Sequence, residues 1–175
     1  MKVKIHSKHV DFKLKAAIHS MCGYAISSLG ISDRISKSLN LTIHMRHHDN
    51  EGEARVSRNA DRYRPRDFKI ILDHHRMEKD DYGRSLEDTE WGHRVLKPLA
   101  HELVHVKQYT KGELSWRDAG LLWKGVNHNP KNLLEYYDLP YEIEAHGREY
   151  GLLVGFLLVW TEIEKKFEKE LNDLV

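Results

Sequence analysis

His101-Glu102-Leu103-Val104-His105 constrains this chain more than any other stretch. It sits in residues 95–109, where Leu99, Ala100, Leu103, Val104 and Val106 give the apolar density of a buried helix. On an α-helix, positions i and i+4 lie one turn apart on the same face. Two imidazoles placed this way can bind one Zn²⁺ at about 2.0–2.1 Å each. Glu102 leaves the helix on a different side, where it can reach a metal-bound water without itself ligating. The chain has 13 histidines, so such a spacing can arise by chance. The apolar setting argues against chance here, because two histidines and a glutamate on a buried helix are costly unless something pairs with them.

Catalytic zinc takes three protein ligands and leaves one position for water. Gln108 and Lys111 stand where a metzincin would carry its glycine and third histidine, so the third ligand has to come from elsewhere. Three candidates are open. Glu142 is favoured, because Ala145 lies one turn on and lets its helix approach the first closely. His146, at i+4 from Glu142, can then supply a supporting hydrogen bond. Glu144 is the rival, about 200° round the same helix, so both acids cannot face one ion. His128, from the segment between the two helices, is the third choice.

The rest of the chain supplies the frame. Val3 and Ile5 alternate with lysine and suggest a short strand. Apolar residues from Val10 to Leu29 recur at three and four, an amphipathic helix that ends near Gly30. Leu41, Ile43 and Met45 alternate with polar residues in a strand over 39–47. Residues 49–53 form a turn, 54–57 a possible return strand, and 67–74 a further strand. A small antiparallel sheet of three or four strands is the expected product. Residues 76–87 are charged, with a loop at Asp80-Asp81-Tyr82-Gly83. Thr89 is placed to cap a helix from Glu90, and Pro98 predicts a break or kink in it. Residues 113–139 read as one long loop. Pro140 then opens a long C-terminal helix, apolar in its middle and charged from Glu162 onward. The expected fold class is α+β, in a single domain over residues 1–175.

Net charge is +1, so no specific nucleic-acid binding is expected. The N-terminus has no apolar signal-peptide core, and the apolar run at 151–160 is too short to span a bilayer. The single cysteine, Cys22, reads as a core residue in a reducing compartment. These features predict a cytoplasmic protein without a membrane partner. His47-His48 and His74-His75 flank strands and read as exposed strand ends rather than a second metal site.

The motif His101-Glu102-x-x-His105, followed by Glu142-x-x-Ala145 on a later helix, resembles the gluzincin-type minimal zinc metallopeptidases. The ImmA/IrrE-like peptidases and small phage proteins called SprT-like share such motifs. The resemblance covers roughly Leu96 to Glu149. It implies a zincin-like fold, with His101, His105 and Glu142 as metal ligands, Glu102 as general base and a protein or peptide as substrate. Thermolysin-like patterns place Asp four residues after the ligand glutamate, where this chain has His146; true SprT proteins use a third histidine, which would favour His128. On this reading the zinc-activated water attacks a peptide carbonyl, and Glu102 passes its proton to the leaving amine. His128, Tyr136, Tyr137, Tyr141 and His146 are candidate oxyanion donors. The strand from Arg66 to Asp73 is a candidate edge for an extended substrate. Two alternatives are a zinc-stabilised regulatory or binding module without catalysis, and a phage cell-wall hydrolase.

Overall fold

The computed structural model describes residues 1–172 except 8, 9, 11, 49, 50, 59, 62, 74–87 and 119. The His74-His75 pair and the charged loop at 76–87 lie outside the described residues. The chain runs through β1 (Lys2–His6), α1 (Phe12–Ser28), α2 (Asp33–Ser38), β2 (Asn40–Arg46), β3 (Gly52–Val56) and β4 (Asp67–Asp73). It continues with α3 (Asp88–Lys111), β5 (Leu114–Arg117), β6 (Gly120–Trp123), β7 (Val126–Asn127), α4 (Leu133–Tyr137) and α5 (Pro140–Asn172). This is the expected α+β class, with the long C-terminal helix in place.

The first sheet has the order β1-β2-β4-β3. It differs from the antiparallel sheet expected: β1, β2 and β4 run parallel, and β3 alone is antiparallel. The reason lies in the connections. A helix the length of α1 between two strands is a crossover, which returns the chain in the same direction, whereas strict antiparallel neighbours need only a tight turn. Alternation of side chains reports which face is buried and carries no information on direction. β3 takes the outer position, so β4 is hydrogen-bonded on both sides. The strand at 66–73 is therefore interior and offers no free edge to a peptide; among the described residues β3 is the edge on that side.

One face of the sheet carries the core. Leu41, Ile43 and Met45 of β2 and Phe68, Ile70 and Leu72 of β4 point into it. Against them pack Leu14, Ile18, Met21 and Ile26 of α1, Leu99, Leu103 and Val106 of α3, and Leu153 and Phe156 of α5. Cys22 is fully buried in this layer, and burial pushes its thiol up to about 12, so it is an unreactive core residue. Among the described residues no helix is long and apolar enough to cross a membrane.

Two boundaries differ from expectation. α3 continues through Pro98, which withholds a single amide donor from the ladder, and Thr89 lies inside α3 instead of capping it. The segment at 113–139 is not one loop. It holds the antiparallel sheet β5-β6-β7 and the short helix α4, whose elements are too brief to show a period in sequence. α3 ends at Lys111. The Gly112 amide bonds to the Tyr109 carbonyl at 3.0 Å and the Glu113 amide to the Gln108 carbonyl at 2.9 Å. This double closure needs the left-handed backbone that Gly112 adopts at φ +74°.

Ile43, at 0 % exposure in the central strand β2, reports on this packing. Ile43→Ala is expected to lower the unfolding free energy by about 2–5 kcal/mol, read from the midpoint of a urea titration.

Candidate functional site

The site forms where α3 meets α5. α3 presents Lys97, His101, His105 and Gln108 along one stripe, and α5 presents Glu142, His146 and Glu149. Ala145 is fully buried between the stripes, consistent with close approach of the two helices.

His101 Nε2 and His105 Nε2 face each other at 3.1 Å. Glu142 completes the group, with Oε2 at 3.3 Å from His101 Nε2 and Oε1 at 3.6 Å from His105 Nε2. The other nitrogen of each ring is tied down. His105 Nδ1 lies 2.8 Å from Gln108 Oε1, and His101 Nδ1 lies 2.9 Å from Glu149 Oε2. Gln108 Nε2 donates to the Tyr141 carbonyl at 2.9 Å and to Glu144 Oε2 at 3.1 Å, which fixes the amide with its oxygen toward His105. Both Nδ1 atoms therefore donate, and both Nε2 atoms face the same space, within reach of each other and of Glu142.

The electrostatics of that space favour a cation. Burial works against charge on His101, but hydrogen bonds to Glu142 and Glu149 and the nearby charges of Glu102 and Glu142 raise its pKa to about 9. Burial likewise opposes ionisation of Glu142, yet bonding from His101, His105 and Tyr136 holds it well below the ordinary carboxylate range. Glu149 resists burial in the same way, through His101 and Lys97, and is pushed down to about 2. The Tyr136 hydroxyl donates to Glu142 Oε1 at 2.7 Å.

Glu102 is 5 % exposed and stands outside the imidazole–carboxylate group. Burial raises its pKa; the Glu142 charge adds to that, while the imidazoles and a hydrogen bond from the Ala54 amide oppose it. Its seat is on the edge strand β3. A Cβ built on Gly52 would lie 2.9 Å from Glu102 Oε1 and 3.0 Å from its Cγ, so a side chain at Gly52 would push the carboxylate away. An open cleft of about 1000 Å³ runs past these groups, between β3, α3, the β5-β6 hairpin and α4. Trp116 and Leu133, 56 % and 70 % exposed, give the cleft apolar walls.

The four residues singled out in the sequence, His101, Glu102, His105 and Glu142, thus converge. Glu144 does not join them. It pairs with Lys107 at 2.8 Å and with Arg148 at 3.2 Å, on another side of α5. His128 follows β7 and does not line the cleft. His101, Glu142 and His146 form a group that could hold a metal ion, with one ligand atom from each all within 4.8 Å of one another. His47 and His48 instead pair with Asp73 and Glu53. Sequence reasoning missed Gln108, Glu149 and Gly52. The first two stand at i+3 from His105 and i+7 from Glu142, spacings that bring a side chain to the same stripe but are common on any helix. Nothing in the sequence alone pairs Gly52 with Glu102.

The chain matches no protein-family model, no curated protein and no solved structure.

If a divalent ion binds at this group, Glu142→Ala is expected to lose it and Glu144→Ala to keep it. Metal analysis of the purified proteins by mass spectrometry reads the difference.

Proposed function

We propose that this protein is a zinc-dependent endopeptidase. The observation that carries the reading is the pair of imidazole Nε2 atoms 3.1 Å apart, closed by Glu142 and flanked by the buried Glu102. Two such nitrogens repel unless a proton or a metal ion lies between them. Ligands at about 2.0–2.1 Å from a tetrahedral ion stand about 3.3–3.4 Å apart. The separations of 3.1, 3.3 and 3.6 Å bracket that value. Two neutral imidazoles and a carboxylate also suit zinc by donor type.

His101, His105 and Glu142 would hold the ion. Bound there, zinc would act as a Lewis acid, lowering the pKa of a water towards about 7 and polarising a carbonyl. The remaining work falls to the chain itself. Gln108 and Glu149 keep both rings in the ligating tautomer. Glu102 accepts the proton from water and returns it to the departing amine; burial keeps its affinity for a proton above that of a surface acid. Gly52 and the Ala54 amide hold that carboxylate in place. Among the expected oxyanion donors, Tyr136, Tyr137, Tyr141 and His146 line the cleft. An extended peptide can add to the outer side of β3, which among the described residues pairs with β4 alone.

Purified protein is expected to carry about one equivalent of zinc, and His101→Ala to lose it. Glu102→Gln is expected to keep the metal and abolish cleavage of an unfolded protein substrate, followed by mass spectrometry of the products. Full zinc with no cleavage of any peptide library would end the peptidase reading; folded protein that binds no zinc would end it sooner. Gly52→Ala is expected to leave zinc content unchanged and to reduce turnover by about tenfold or more, because it displaces the base and spares the ligands.

A further inference from the structure

The proposed zinc site has three donors and one free corner, and a fourth donor stands near two of the three. His146 lies one turn from Glu142 on α5. Its ring centroid is 4.5 Å from that of His101, and the ring lines the cleft. It offers a ligand atom within 4.8 Å of those of His101 and Glu142. A separation of that size exceeds the ligand–ligand edge of a tetrahedral zinc site by at most about 1.5 Å. A change of side-chain torsion covers such a distance.

The way His146 is held allows the movement. Its side chain is 44 % exposed, and its polar contact is Nδ1 to Glu149 Oε2 at 3.4 Å. Glu149 is already committed elsewhere, to His101 Nδ1 at 2.9 Å and to Lys97 at 3.1 Å. Tyr137 supports the other side of the ring, with centroids 5.5 Å apart. The imidazole is thus loosely restrained next to the proposed metal position, whereas His101 and His105 are locked by short hydrogen bonds.

Resting on the zinc reading above, we propose that His146 is a reversible fourth ligand, which closes the site in the resting protein and is displaced when a substrate carbonyl or another donor enters. The closed form has four protein ligands and no position for water, the coordination of a structural site. The open form has three and is the working one. One chain then moves between the metal-stabilised and the catalytic state by a single side-chain rotation.

The test uses the full chain loaded with cobalt(II) as a spectroscopic stand-in for zinc, and azide as a small probe of a free coordination position. Wild-type protein is expected to show a visible spectrum that azide changes only at high concentration. His146→Ala is expected to respond to azide at concentrations at least about tenfold lower. Its zinc affinity, measured by competition with a chelator, is expected to fall by about tenfold or more. Equal azide responses in the two proteins with equal zinc affinities would overturn the proposal and leave the zinc site standing. A wild-type spectrum that responds fully to low azide would overturn it without recourse to the variant. Failure of wild-type protein to bind either metal would remove the site itself, and the proposal with it.

Discussion

Charge matching between α3 and α5 is the constraint on which the rest depends. A histidine pair, three glutamates, a lysine and a glutamine are wholly or largely removed from water along one helix–helix contact. Buried charge without a partner would force the helices apart or force the groups to neutralise. Here each group has an opposite number on the facing helix: Lys97 and His101 meet Glu149, His101 and His105 meet Glu142, Lys107 meets Glu144. The apolar sides of the same helices join the common core, so the polar seam is held in register by residues that take no part in it.

That arrangement explains why a sheet is needed at all. The two helices alone would present the imidazoles and Glu142, but Glu102 lies against β3. The edge strand supplies a backbone amide and an absent side chain, and both act on Glu102. The position of β3 follows in turn from the parallel core of the sheet, which fills the interior and leaves the single reversed strand outermost.

Much of this was legible in the sequence, for physical reasons that can be named. The helical period places His101 and His105 on one face whatever the fold, and the apolar residues around them mark that helix as buried. Glu142 and Glu144 were separable because two positions on a helix point to different sides; the structure ties Glu144 to Lys107 and Arg148 and leaves Glu142 facing the imidazoles. Strand direction was not legible, because Leu41, Ile43 and Met45 alternate identically in a parallel or antiparallel neighbour. The β5-β6-β7 sheet was missed because four residues, four and two cannot display a period. The partners Gln108 and Glu149 were missed because a hydrogen bond to the far side of a ring depends on the crossing of two helices, which local spacing does not encode.

Gln108 has one property that reaches beyond its own contacts. Its amide reads two directions at once, oxygen toward His105 and nitrogen toward Glu144. Glu144 is joined through Lys107 to Glu113, at 2.6 Å from the lysine, and Glu113 immediately precedes β5. A continuous polar relay therefore links the hairpin beside the cleft to the tautomer of an imidazole inside it. The last member of that relay sets which nitrogen of His105 bears a hydrogen.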